Sequence, residues 1–164
     1  MNFYIFFIAA VIPLAVGAVW YNPKVLGNAW MKSTGLTEEQ LRDANMLKIF
    51  GLTYVLSLLI ALSLFSVVVH QSAIDSIFLN EPGFGEAGST LDVYYQDFMA
   101  KYGRNFRTFK HGAFHGALIA LMFAMPVIGI NALFERKSFK YVAIHAGYWV
   151  ISLALMGGLV CQFA

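Results

Sequence analysis

The sequence predicts an all-α integral membrane protein, with four transmembrane helices packed as a bundle. Three observations predict it. Four windows, 1–23, 49–74, 111–134 and 141–164, contain no Asp, Glu, Lys or Arg, and each exceeds the ~20 apolar residues that cross hydrocarbon. The chain is 59% hydrophobic and 12% charged, where soluble domains run near roughly 45–50% and about 25%. Small residues recur four apart in the third window, as close helix packing in lipid requires. Four buried helices of a soluble bundle would need polar faces, which these windows lack. The 164 residues make a single membrane domain.

The first span is expected over about 3–21. It lacks the basic n-region of a signal peptide, so it reads as a retained helix. Pro13 should kink it by removing a backbone donor. Trp20 and Tyr21 mark its interfacial end. Asn22-Pro23 then reads as a helix start, and a short interfacial helix should follow to about Ser33, closed by Gly35. Thr37-Glu38-Glu39-Gln40 is a capping-box pattern. Its helix is expected to run without a break into the second span, about 47–70.

The second loop, 71–108, is long. Glu81-Pro82-Gly83 marks a turn. Ser89-Thr90 caps a helix with Leu91, Tyr94, Tyr95, Phe98 and Tyr102 on one face, closed by Gly103. An interfacial helix lying apolar side down is expected; a lid over the bundle is the sharper alternative. The third span, about 109–134, carries Gly112, Gly116, Ala120 and Ala124, a helix-packing seam that faces either another span or a second subunit. Pro126 adds a second kink. A charged turn leads to the fourth span, about 139–162, with its own small pairs Ala143/Gly147 and Ala154/Gly158.

Basic residues orient the chain. The first and third loops hold Lys24, Lys32, Arg42, Lys48, Arg136, Lys137 and Lys140; the other side holds Lys101, Arg104, Arg107 and Lys110. Seven against four places the first and third loops in the cytoplasm and both termini outside, in the cytoplasmic (inner) membrane. A net charge of +2 suggests no nucleic-acid partner. The single cysteine, Cys161, forms no intrachain disulfide and reads as apolar filler.

Two stretches resemble a known family: GAVWYNPKVLGNAWMKSTGLTEEQL (17–41) and PVIGINALFERKSFKYVAIHAGYWVISLALMGG (126–158). The chain is similar to the small bacterial four-span proteins catalogued as domain of unknown function 1761. The shared residues are Trp20-Tyr21, Pro23, Gly27, Trp30-Met31, Gly35-Leu36-Thr37, Asn131, Phe134-Glu135 and Gly147-Tyr148-Trp149. The long second loop departs from the compact pattern and resembles Bacteroidetes-type members. The resemblance implies a four-span membrane protein and no activity.

Two constellations hold chemistry. His111 and His115 share a helical face, and His70 ends the second span at about the same depth. Three imidazoles suit a zinc or copper ion, or a pair suits a haem, with Asp75 or Glu81 available to complete the set. The plain alternative is interfacial histidines bonded to water. At the other end, Asn131 and His145 should meet at matching depth, with Glu135, Tyr148, Trp149, Trp20 and Tyr21 around them. That is either an interhelical hydrogen bond or a pocket for a lipid headgroup or small ligand. No span holds an Asp, Glu, Lys or Arg, which argues against a proton-coupled antiporter. No phosphate-binding glycine loop, HExxH or GxSxG is present, so no cofactor and no catalytic residue is predicted beyond those histidines. Three functions follow: a non-enzymatic subunit acting as a homo-oligomer or with a membrane-protein partner; a lipid or small-molecule binder or transporter built on Asn131 and His145; and a metal or haem protein built on His70, His111 and His115.

Overall fold

The computed structural model describes residues 2–164, and among these every regular element is helical. The helices are α1 (Tyr4–Trp20), α2 (Pro23–Thr34), α3 (Glu38–Arg42), α4 (Met46–Val68), α5 (Gln71–Phe78), α6 (Thr90–Tyr102), α7 (Phe109–Phe134) and α8 (Phe139–Phe163). The C-terminal α8 is the axis of the fold and packs against α1, α2, α4 and α7. More than half of its apolar window is buried, against 22% for α4 and 11% for α7. The outer helices instead present apolar side chains outward. On α4 these include Leu47, Phe50, Leu52, Val55, Leu56, Leu59 and Leu62. A row of that length greatly exceeds the apolar patch a soluble monomer tolerates, and hydrocarbon is the solvent it suits.

Three helices, α4, α7 and α8, are each long and apolar enough to cross a membrane. The predicted first span is different. Its helix stops turning regularly at Ala10-Val11 and resumes at Ile12, with Pro13 in the new first turn. Proline lacks the N–H that would satisfy a carbonyl four residues earlier, so the break falls one turn before it. At ~1.5 Å per residue α1 extends roughly 25 Å, short of the ~30 Å hydrocarbon core. Sufficient apolar length is reached only with α2, which bends away by 57°. The pair is a broken span or a re-entrant segment.

Local sequence accounts for most other boundaries. The Asn22 side chain accepts from the Lys24 amide at 2.9 Å and opens α2, while Gly35 ends it at φ 82°, a left-handed position that favours glycine. The predicted capping box is present: the Thr37 amide donates to Gln40 Oε1 at 2.9 Å, and the Gln40 amide to Thr37 Oγ1 at 3.3 Å. The helix it starts does not run into α4, as the sequence suggested. It ends at Arg42, and Asn45 Oδ1 accepts from the Lys48 amide at 3.0 Å to begin a new one. Asparagine competes with helical backbone bonding and is favoured at a cap over an interior; that preference decides the break. α4 in turn ends at Val68, short of the predicted 70, because Val69 is extended.

The second loop holds two helices, one more than expected. Residues 71–78 form α5, followed by α6, whose predicted cap Ser89 accepts from the Asp92 amide at 3.0 Å. The two form a hairpin joined by rings: Tyr95 lies edge-on to Phe84 at 5.0 Å and to Phe78 at 6.3 Å. The face predicted for α6 is split, with Tyr94 and Tyr102 exposed while Tyr95 and Phe98 are partly covered. Its inward ring, Tyr95, faces the hairpin. Tyr95 also donates to Asp75 Oδ1 at 2.6 Å. This bond, then burial, then the charge of Asp75 push the Tyr95 hydroxyl from 10.0 up to about 12. The raised value favours the neutral phenol in the folded state, so the contact is fully kept below about 10 and is lost as pH climbs through about 12. Ultraviolet titration should show one fewer late-ionising tyrosine in Tyr95→Phe than in the wild type.

The small-residue seam of α7 packs within the chain, on α8. A Cβ on Gly112 would fall 2.1 Å from the Gly157 carbonyl oxygen, and one on Gly116 would fall 2.0 Å from that of Leu153. Ala120 is fully buried and Ala124 partly. Pro126 follows a π turn over Ala120–Ala124, in which the Met125 amide reaches back to the Ala120 carbonyl. The wider turn accommodates the donor that proline lacks. At the α7–α8 turn, Arg136 is left-handed at φ 54°, and Lys137 Nζ donates to the Thr34 carbonyl at 2.9 Å, tying down the end of α2.

Candidate metal centre

His70, His111 and His115 come together. One ring nitrogen from each lies within 4.8 Å of the other two. His111 Nε2 is 3.3 Å from His70 Nε2, and the His111 and His115 rings are 4.4 Å apart. Each position has a local cause. Thr108 caps α7 by accepting from the His111 amide at 3.3 Å, which puts His111 in the first turn and His115 one turn later. Each of these histidines precedes a seam glycine, so the packing of Gly112 and Gly116 on α8 sets both rings at the rim of the α7–α8 contact. His70 lies at the joint between α4 and α5.

The surroundings hold that joint in place. Gln71 is buried and donates its amide to the carbonyls of Tyr102 (3.3 Å) and Asn105 (2.9 Å). Cys161, expected to be filler, donates its thiol to the carbonyls of Val68 (3.1 Å) and Phe106 (3.3 Å), so it links α8 to both sides of the cluster. Arg107 donates to the Cys161 carbonyl at 2.7 Å and to the carbonyl of Ala164. Phe106 adopts φ 61° and sets its ring 5.1 Å from His111 and 6.1 Å from His70. Left-handed backbone at a bulky side chain is costly and persists where the surroundings over-determine it. Phe106 and Gln71 carried no sequence signal of their own, since their roles depend on the path of a loop. Asp75 does not join the cluster because its carboxylate accepts from Tyr95, and Glu81 is exposed elsewhere on the hairpin.

The second predicted constellation forms only in part. Tyr21 Oη and His145 Nδ1 are 3.2 Å apart, Trp20 Nε1 donates to the Ile144 carbonyl at 3.0 Å, and Tyr148 Oη donates to the Pro13 carbonyl at 3.0 Å. The Tyr141 ring sits 4.3 Å from that of His145, tilted by 55°. Asn131 and Glu135 are exposed and stand apart from this group, so the expected Asn131–His145 bond is replaced by Tyr21–His145. Ala132, at 1% exposure, takes the inward position on α7, and a neighbouring residue points ~100° round the helix. These bonds tie α8 to α1 and engage most of the polar atoms of the cluster. His145→Leu should therefore lower stability by about 0.6 kcal/mol, the usual worth of an interhelical polar contact. Asn131→Leu should leave it unchanged in denaturant titrations.

Fold and site define the class: an all-helical protein with apolar helices fit for a membrane and a histidine cluster at the end of two of them. The chain belongs to the family described as "Protein of unknown function (DUF1761)", whose model matches residues 4–161. No curated protein and no solved structure matches it.

Proposed function

We propose that this protein binds a transition-metal ion at the membrane surface through His70, His111 and His115. The observation that carries the reading is the convergence of three imidazole nitrogens within 4.8 Å. Zinc and copper ions are both suited to imidazole donors. Metal–nitrogen bonds of ~2.0–2.1 Å set the edge of a tetrahedron near ~3.3–3.4 Å, and the His70–His111 separation is 3.3 Å. A haem fits less well: His111 and His115 lie on one helical face, and the 3.3 Å between His70 and His111 leaves no room for a macrocycle between them. The small-residue seam, which motivated an oligomeric or accessory subunit, is covered by α8, and Asn131, half of the ligand-binding reading, is exposed.

We further propose four crossings of a bacterial inner membrane, with α1 and α2 as the broken first span. Lys24 and Lys32 then fall within the broken span, and the remaining Arg42, Lys48, Arg136, Lys137 and Lys140, against Lys101, Arg104, Arg107 and Lys110 on the other side, support placing the first and third connections in the cytoplasm, and the histidines with both termini outside. Protein purified without a histidine tag, stripped with chelator and dialysed against zinc should retain one ion per chain by elemental analysis. Alanine at any one of the three histidines should abolish retention. Equal retention by wild type and a triple-alanine variant would refute the assignment.

A further inference from the structure

The described residues bring three donors together. Among the described residues no aspartate, glutamate or cysteine joins the three histidines. Asp75 is engaged by Tyr95, and the Cys161 thiol is turned into the bundle toward Val68 and Phe106. The side chains whose rings lie nearest the cluster are Phe106 and Phe114, 5.1 Å from His111 and 5.6 Å from His115, and hydrocarbon rings offer no lone pair. A closed structural zinc site uses four protein ligands, whereas three ligands leave a position for water or substrate.

Resting on the metal reading above, we infer that the fourth coordination position is filled from outside the chain, by an exchangeable small donor: water by default, and a small anion in preference to it. Three neutral imidazoles leave the full charge of the ion uncompensated, which favours an anionic fourth ligand. Phe106 borders two of the three ligands, and its ring, like that of Phe114, is itself exposed, so the position opens to solvent. Access follows from His70, the most exposed of the three. The ligand class is therefore a small exchangeable anion such as hydroxide, azide, thiocyanate or a carboxylate. Exchange leaves the three histidine bonds intact: one donor departs with its electron pair and another takes the vacated position.

Cobalt(II) is the probe, because its visible spectrum reports coordination number and ligand identity while it takes zinc's place. The full-length protein in detergent, loaded with one equivalent of cobalt, should give the intense absorption of a four-coordinate ion. Thiocyanate should shift that spectrum saturably. His111→Gln should abolish both signals, and Asn131→Leu, an exposed position outside the cluster, should preserve both. An intense spectrum indifferent to thiocyanate and azide overturns the inference and leaves the three-histidine site standing, since a fourth protein ligand must then be present. Weak six-coordinate absorption that needs the three histidines also overturns it. Failure to bind cobalt at all, with zinc equally unbound, overturns the metal reading and this inference together.

Discussion

Gly116→Ala is expected to destabilise the protein by about 2–3 kcal/mol, more than most surface changes, although alanine is the better helix former. The added Cβ would fall 2.0 Å from the Leu153 carbonyl oxygen and 2.6 Å from its carbon. Both are backbone atoms of α8 and have no rotamer to swing aside. Relief requires α7 and α8 to separate, and separation forfeits packing along the seam, including Gly112 against Gly157. In lipid that packing is the main force holding the helices together. Gly116→Val should be worse, with little folded protein recovered. Gly51 on α4 is the control: nothing lies within 4 Å of its Cβ position, so Gly51→Ala should be neutral or stabilising by up to ~1 kcal/mol from helix propensity alone. Unfolding in mixed micelles by increasing denaturing detergent gives both values. Equal effects at Gly51 and Gly116 would show that the seam is not a close contact.

The seam was readable from spacing because the cause is local: a residue without a side chain every fourth position can only serve close approach. Its partner was readable only in part: Ala154 of the Ala154/Gly158 pair does lie against Gly116, but the nearest atoms are the Leu153 and Gly157 carbonyls, and Gly158 packs on Phe109 instead. The histidine cluster was legible for a similar reason. His111 and His115 are one turn apart by arithmetic, and His70 falls at the end of the expected second span. Asn131 shows where such arithmetic fails. Depth along two helices can be matched by counting, but rotation depends on the π turn at Ala120–Ala124 and on which small residue wins the inward position. The break between α3 and α4 was in principle visible, because Asn45 stands three residues before Lys48 in the manner of a cap. It was hidden by the assumption that a capping box leads one long helix. The roles of Gln71, Phe106 and Cys161 arise from three segments distant in sequence, and no pattern within any one of them announces the others.

Zinc should stabilise the folded protein by about 2.7 kcal/mol when free zinc is a hundredfold above its dissociation constant, and by about 4.1 kcal/mol at a thousandfold. The reason is geometric. The three ligands belong to two elements, α7 and the α4–α5 joint, so the ion bridges segments that separate on unfolding. The same dependence tells a metal site from a stacked aromatic cluster. In chelator, His70→Ala should cost little, because His70 is exposed, its ring makes edge contacts with His111 and His115 at 4.8 and 5.1 Å, and its one hydrogen bond, to His111, is also exposed. In zinc, the same substitution should forfeit nearly the whole zinc-dependent increment. A structural cluster predicts the reverse: an equal loss with and without metal, and no increment in wild type. Cys161→Ser is a second discriminator. Its hydroxyl can replace the thiol as donor to Val68 and Phe106, so zinc stabilisation should survive; Cys161→Ala removes that donor from the buried Val68 carbonyl and the part-buried Phe106 carbonyl and should lower stability in both conditions. Thermal unfolding of all four proteins in detergent, each with zinc and with chelator, separates the two readings in one experiment. If the wild-type midpoint is the same in both media, the three imidazoles meet for packing and the metal assignment fails.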